Sequence, residues 1–67
     1  MIKDWIDICD RWGNKCLCCG KPGNYLTLTL DHINPLIDGG QHKKSNIQPL
    51  CKSCNSRKGA KYIDYRR

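Results

Sequence analysis

Two Cys-x-x-Cys pairs constrain the fold of this chain more than any other feature. They are formed by Cys16 and Cys19 and by Cys51 and Cys54. Four thiolates at this spacing can close around one Zn²⁺ ion in tetrahedral geometry. A chain of 67 residues buries too little apolar surface to be stable without disulfides, a metal or a partner. The sequence therefore predicts one domain, residues 1–67, held together by a structural zinc site.

The other cysteines have less specific interpretations. Cys9 is expected to pack as a small buried hydrophobe, and Cys18 to lie in the loop between the ligands. Cys18 is an alternative ligand to Cys19, but Gly20 directly after Cys19 suits a tight turn that needs positive φ. No apolar signal segment follows Met1. We therefore expect a cytoplasmic, reducing location and no disulfides. No apolar run approaches ~20 residues, so no membrane span is expected.

The whole chain has a formal charge of +6, and its basic side chains are concentrated in the C-terminal part. Residues 1–41 contain four basic and five acidic side chains, whereas residues 42–67 contain eight basic side chains and only Asp64 as an acid. A small and strongly basic protein favours a polyanion as its partner. The alternative is a solvated basic face that serves solubility alone.

The spacing of apolar residues predicts an N-terminal amphipathic helix. Apolar side chains recur with helical spacing over residues 2–12, and Gly13 and Asn14 then favour a helix end. Trp5 and Trp12 fall on this apolar stripe. We therefore expect both to pack in the core rather than to stack on a nucleic-acid base.

The centre of the chain has the pattern of a half-buried strand. Residues 25–30 alternate with a period of two, which predicts that Leu26, Leu28 and Leu30 face inward. Residues 33–45 are rich in turn signals and predict a long loop. The strand and the N-terminal helix together indicate a small α+β domain.

The loop is predicted to return the chain to a second short strand at residues 46–48, followed by a helix from Lys52 to Lys61. Asp31 and His32 fall at the end of the first strand, where neighbouring side chains can serve one site. Asn55 lies about 100° around its helix from Cys54, so it can face this strand end while Cys54 faces the zinc. Taken singly, a turn cap, a core histidine and a helical amide explain these residues equally well.

Taken together, these residues resemble the HNH family of nucleases. The resemblance covers about residues 15–61 and is carried, in order and spacing, by the segments Leu30–Leu36, Gly39–Gly40, Ser45–Cys51 and Cys54–Gly59. It implies a ββα-metal fold and metal-dependent hydrolysis of DNA phosphodiester bonds. The predicted domain then has an N-terminal helix at 1–14, a zinc-held core at 15–61 and a basic tail at 62–67.

The resemblance also implies a role for each polar residue of the site. His32 is the first histidine and the expected general base, and Asn46 is the middle asparagine, expected to brace the loop behind His32. Asn55 stands at the third position instead of histidine. Its amide and the Asp31 carboxylate are oxygen ligands that suit Mg²⁺ or Mn²⁺ better than Zn²⁺.

Phosphate contacts are expected mainly from Arg57 and Lys58, with Lys43, Lys44 and Lys61 extending the basic track. His42 falls in the variable loop and is interpreted as exposed and idle, with a ligand or substrate contact as the alternative. So small a domain offers few base-reading contacts, so partner proteins are expected to supply sequence specificity.

Two other functions compete with the nuclease. A noncatalytic zinc-binding nucleic-acid module would need the cysteines and the basic residues but not Asp31 beside His32. A thiol redox protein would use Cys-x-x-Cys as a reactive pair, but zinc ligation would quench it and no thioredoxin-like pattern surrounds it.

Overall fold

The computed structural model describes residues 2–66 and is a small α+β domain with an antiparallel two-stranded sheet. Arg67 of the predicted basic tail lies outside the described residues. Within the described part of the chain, no helix is long and apolar enough to cross a membrane. The chain runs through helix α1 (Ile2–Arg11), strand β1 (Thr29–His32), strand β2 (Ile47–Leu50) and helix α2 (Lys52–Lys58), with short 3₁₀ turns at Leu36–Asp38 and Lys44–Asn46.

Helix α1 supplies one side of the core. Trp5, Ile8 and Cys9 are buried in a cluster with Ile47 and Leu50 of β2, as the apolar stripe predicted. Burying side chains of this size stabilises a small domain by about 1.5–3 kcal/mol each. The helix therefore contributes to the core on which the site is built.

The end of α1 follows the turn signals in the sequence. The helix stops at Arg11, one residue earlier than predicted. Gly13 and Asn14 have φ of 80° and 52°, and the amide of Asn14 donates to the carbonyl of Cys9 over 2.8 Å. This left-handed cap uses a carbonyl that the helix leaves free.

The predicted start of the first strand is wrong, because β1 begins at Thr29 rather than at Tyr25. The Asn24 side chain accepts from the amide of Leu26 over 2.8 Å, and the Asn24 carbonyl accepts from the amide of Leu28 over 2.7 Å. These local bonds make a turn that competes with the strand. Leu26 is consequently 75% exposed instead of inward-facing, whereas Leu28 is buried as predicted.

The second strand is longer than the predicted 46–48, since β2 continues through Pro49 to Leu50. All its residues are buried. Asp31 pairs with Gln48, and Thr29 pairs with Leu50 across the sheet. Pro49 is tolerated because each strand of a two-stranded sheet is an edge strand.

The C-terminal segment lies against β2. The Gln48 side chain donates to the carbonyl of Ile63 over 2.9 Å and accepts from the amide of Tyr65 over 2.8 Å. Arg66 donates to the carbonyl of Ser45 over 2.9 Å. These bonds hold the segment beside the strand that carries Gln48.

Helix α2 is shorter than predicted, ending at Lys58 instead of Lys61. Gly59 follows with a positive φ of 57°, and its amide donates to the carbonyl of Asn55. The helix therefore spans only two turns, with Cys54 and Asn55 in its centre.

Candidate active site and metal centre

Asp31, His32 and Asn55 line one open depression on the surface. The end of β1 supplies the acid and the imidazole, and α2 supplies the amide. Exposed Leu36 and Ile37, from the loop after β1, form part of the same wall. Residues far apart in the chain thus meet as the sequence predicted.

Asp31 is held in place by buried contacts. Its Oδ2 accepts from the Gln48 amide over 2.8 Å and lies 3.1 Å from the Lys58 ammonium. The same Lys58 ammonium donates to the carbonyl of His32 over 3.0 Å. Among the described residues no hydrogen bond engages Oδ1, so this oxygen can serve as a metal ligand.

Asn55 is oriented by the hydroxyl of Thr29 in β1. Its amide nitrogen donates to Thr29 Oγ1 over 2.8 Å, and this hydroxyl donates to the carbonyl of Leu50 over 2.7 Å. The chain of two bonds fixes the amide with its nitrogen toward Thr29. The side-chain oxygen of Asn55, Oδ1, has no hydrogen-bond donor among the described residues and is a second possible ligand.

His32 is in contact with another histidine. Its Nε2 lies 2.8 Å from His42 Nδ1, a contact that was not predicted, while His42 is exposed as expected. Burial lowers the pKa of His32, and the charges of His42 and Lys58 lower it further against the opposing effect of Asp31. A histidine with a lowered pKa is neutral at pH 7, as a general base must be.

Asn46 braces the loop behind the site. Its side chain accepts from the amide of Asn34 over 2.8 Å and donates to the carbonyls of Asn34 and Gln41 over 3.0 and 2.8 Å. Its donor and acceptor groups therefore connect both ends of the loop that follows β1. This is the position expected for it, while a part in catalysis stays a prediction.

The four cysteines predicted to bind zinc converge. The sulfur atoms of Cys16, Cys19, Cys51 and Cys54 all lie within 4.8 Å of one another, and those of Cys19 and Cys51 are 3.8 Å apart. A tetrahedral site with Zn–S bonds of about 2.3 Å has sulfur atoms about 3.8 Å apart. A disulfide needs about 2.05 Å. The spacing therefore fits one zinc ion and does not fit paired cysteines.

The surroundings lower the pKa of the Cys16 and Cys51 thiols, whereas burial raises the pKa of the Cys54 thiol. Burial raises the pKa of the Cys16 thiol, but backbone hydrogen bonds from Cys19, Cys51 and Cys18 outweigh it and lower the pKa to about 6. Cys18 itself is exposed and lies outside the four-sulfur group. Gly20 has a φ of 82°, the positive value expected after Cys19.

One predicted phosphate contact is wrong, and a second residue has an additional contact. The Lys58 side chain is 0% exposed and is occupied by Asp31, so a phosphate contact from it is incompatible with this structure. Arg57 donates to Cys54 Sγ over 3.1 Å and lines a separate depression with the cysteines. Helix geometry turns Arg57 away from the Asn55 face, whereas Lys58, three positions after Asn55, lies on that face and reaches Asp31. Arg57 is nevertheless exposed, and its phosphate contact stays a prediction. The other predicted contacts are exposed as well, and they are Lys43, Lys44 and Lys61.

Gln48, Thr29 and His42 were not assigned to the site from the sequence. Gln48 is the one residue in the four-residue β2 with a polar side chain, and it is fully buried directly across from Asp31. A buried amide inside an apolar strand signals a required hydrogen-bond partner. Thr29 and His42 carry no comparable signal in the sequence. The strand register brings Thr29 to Asn55, and the path of the loop brings His42 to His32.

Comparison with known proteins agrees with this geometry. Residues 16–61 match the HNH endonuclease family, and the chain belongs to that family. The predicted small α+β HNH fold is thereby confirmed. Among curated proteins, none matches the sequence.

A solved structure shows the same fold. The crystal structure of the Type II-C Cas9 enzyme from Actinomyces naeslundii is similar to this chain with a TM-score of 0.76 and 32% sequence identity. The similarity covers 88% of this chain and 7% of the Cas9 chain. This chain therefore corresponds to a small part of that enzyme's length.

Proposed function

We propose that the protein is a metal-dependent endonuclease that hydrolyses DNA phosphodiester bonds. The observation that carries the proposal is the convergence of Asp31, His32 and Asn55 on one open depression. A noncatalytic module has no need for a neutral histidine beside two oriented oxygen donors. Membership of the HNH endonuclease family supports the same reaction class.

The oxygen donors fit a hard divalent ion. Asp31 Oδ1 and the side-chain Oδ1 of Asn55 are the atoms left open by the surrounding hydrogen bonds, and oxygen ligands suit Mg²⁺ or Mn²⁺. The few protein ligands leave room for water and phosphate oxygens, as Mg²⁺ prefers. When bound, such an ion neutralises the charge that develops on the phosphoryl group.

His32 supplies the proton acceptor. In its neutral form it takes a proton from a water molecule, whose oxygen then attacks phosphorus as the bond to the leaving oxygen breaks. The Lys58 bond to the His32 carbonyl and the β1–β2 pairing hold the backbone of this residue. The imidazole is therefore carried on a rigid element, as precise proton transfer requires.

The cysteine cluster holds a structural zinc ion in this proposal. Cys51 immediately precedes α2 and Cys54 lies within it, so zinc ligation fixes the helix that also carries Asn55. Cys16 and Cys19 tie the same helix to the segment after α1. Zinc removal should therefore disorder the active site although no zinc ligand lines it.

Lys43, Lys44 and Lys61 are the proposed phosphate contacts. All three are exposed. Lys43 and Lys44 shortly precede β2, and Lys61 follows the end of α2. Contacts of this type are electrostatic and do not depend on base sequence. Base specificity is then expected from partner proteins.

The test is incubation of the purified protein with supercoiled plasmid, with and without Mg²⁺ or Mn²⁺. We expect metal-dependent conversion to nicked or linear DNA, and loss of at least ~10²-fold in rate for His32→Ala. Ser56→Ala, an exposed change on α2, is the matched control and should cut normally. Binding of DNA without metal-dependent cleavage would identify a noncatalytic module instead.

A further inference from the structure

The His32–His42 contact is a defined hydrogen bond between two imidazoles. The Nε2 and Nδ1 atoms lie 2.8 Å apart, the ring centroids 5.1 Å apart, and the ring planes are tilted by 45°. His42 follows Gln41, whose carbonyl is bonded by Asn46. Asn46 therefore holds the backbone next to His42, whose side chain is itself exposed.

The bond limits which nitrogen of His32 can accept a proton. A neutral imidazole carries one N–H donor and one lone-pair acceptor. If His42 Nδ1–H donates to His32, the His32 proton is on Nδ1 and no lone pair remains for a substrate water. If His32 Nε2–H donates to His42, the lone pair on His32 Nδ1 is open.

We propose that His42 is a positioning residue that accepts a hydrogen bond from His32 Nε2–H and thereby assigns proton transfer to His32 Nδ1. The proposal rests on the proposed function in taking water as the source of the proton. The water O–H bond breaks, its electron pair stays on the attacking oxygen, and the proton forms a bond with Nδ1. His32 is then an imidazolium whose Nε2–H still donates to His42, as a stronger, charge-assisted bond.

Two substitutions separate the hydrogen bond from mere space filling. His42→Ala removes the acceptor. His42→Asn places a carbonyl oxygen at about the position of Nδ1, so it can accept the same bond without a tautomer of its own. Gln41→Ala is the control. The Gln41 side chain is exposed and makes no hydrogen bond among the described contacts, and the substitution retains the backbone carbonyl that Asn46 binds.

The first readout is the tautomer of His32, measured by ¹⁵N–¹H correlation in the zinc-loaded full chain at about pH 8, well above the lowered pKa of His32. We expect the Nε2–H tautomer in the parent, in His42→Asn and in Gln41→Ala, and a mixture of tautomers in His42→Ala. A parent with the proton on Nδ1, or an unchanged tautomer in His42→Ala, would overturn the proposal. This readout does not depend on cleavage, so it stands apart from a failure of the nuclease assignment.

The second readout is plasmid cleavage under saturating Mg²⁺. His42→Ala should lose about 10- to 100-fold in rate, the effect of one hydrogen bond to a group that becomes charged. His42→Asn should recover most of this loss. If Asn does not restore the rate although it restores the tautomer, the bond has no part in proton transfer and the positioning role is refuted.

Discussion

Lys58 and Asp31 form a buried ion pair at the site, with Nζ and Oδ2 3.1 Å apart and side chains 0% and 5% exposed. Lys58 also donates to the His32 carbonyl over 3.0 Å. One ammonium therefore connects α2 to both residues at the end of β1. Gln48 adds the third contact to this arrangement by donating to Oδ2. The ion pair therefore fixes the position of Asp31, the carboxylate that we propose as a metal ligand.

We predict that Lys58→Ala destabilises the domain instead of weakening DNA contacts. The substitution leaves the Asp31 carboxylate buried without its counter-charge, which costs about 3–5 kcal/mol in comparable pairs. Urea unfolding of the zinc-loaded protein measures the change in free energy. Lys52→Ala, an exposed change on the same helix, should alter it by less than about 0.5 kcal/mol. Equal stabilities for the two variants would contradict a structural role for Lys58.

The sequence predicted those parts of the molecule that rest on residue spacing. Helical periodicity located α1, and the two Cys-x-x-Cys pairs located the four sulfur atoms that converge. The placing of Asn55 opposite Asp31 followed from helix geometry and the family resemblance. Each of these features depends on the spacing of residues along the chain, so it can be predicted without the tertiary structure.

Features decided by tertiary contacts were not predictable in the same way. A basic residue on a short helix is exposed in most proteins, and only the position of Asp31 made Lys58 a buried partner. The predicted start of β1 was wrong because the Asn24 side chain accepts from the backbone amide of Leu26, and this local turn outweighs the alternating pattern. The contact between His42 and His32 was not predicted, because the path of a loop cannot be read from its composition.

We predict that Cys54→Ser abolishes the folded state, whereas Cys18→Ser preserves it. Cys54 is buried among the four sulfur atoms, and a domain of this size depends on the metal for much of its stability. Cys18 is exposed and outside this group. Circular dichroism and zinc analysis are the measurements, with one zinc expected per chain in the parent. A folded, zinc-free Cys54→Ser protein would exclude a structural metal.

We predict that Thr29→Val impairs the use of Mg²⁺ with little change in fold. Valine keeps the shape but removes the hydroxyl that accepts from the Asn55 amide and donates to Leu50. Loss of this orientation should lower cleavage by about 10-fold and raise the Mg²⁺ concentration for half-maximal rate. Thr29→Ser retains the hydroxyl and should behave like the parent. A Thr29→Val enzyme with normal Mg²⁺ dependence would show that Asn55 is oriented by other means.

We predict that the protein still cleaves DNA somewhat below pH 6.5, the pH at which a free histidine is half protonated. The pKa of His32 is lowered from 6.5, chiefly by burial, so more than half of the His32 side chains are neutral bases at pH 6.5. The acidic limb of kcat/KM should therefore have its midpoint below this value. By linkage, His32 in the folded state resists protonation, so its contribution lowers the free energy of unfolding as the pH falls through 6.5. A limb centred above 6.5 would mean that attraction by Asp31 outweighs burial.

Finally, we predict that Arg57 affects zinc retention while Lys43 affects DNA binding. Arg57 donates to Cys54 Sγ over 3.1 Å, and removal of a group bonded to a metal ligand typically lowers metal affinity about 10- to 100-fold. Arg57→Ala should therefore lose zinc faster to a competing chelator, with an unchanged salt dependence of DNA affinity. Lys43→Ala should retain zinc and reduce the log–log salt slope by roughly 0.9, the value for one phosphate contact on duplex DNA. Both affinities should be measured on several unrelated duplexes across a salt series. An Arg57→Ala protein with normal zinc retention and a flattened slope would place Arg57 on the DNA path after all.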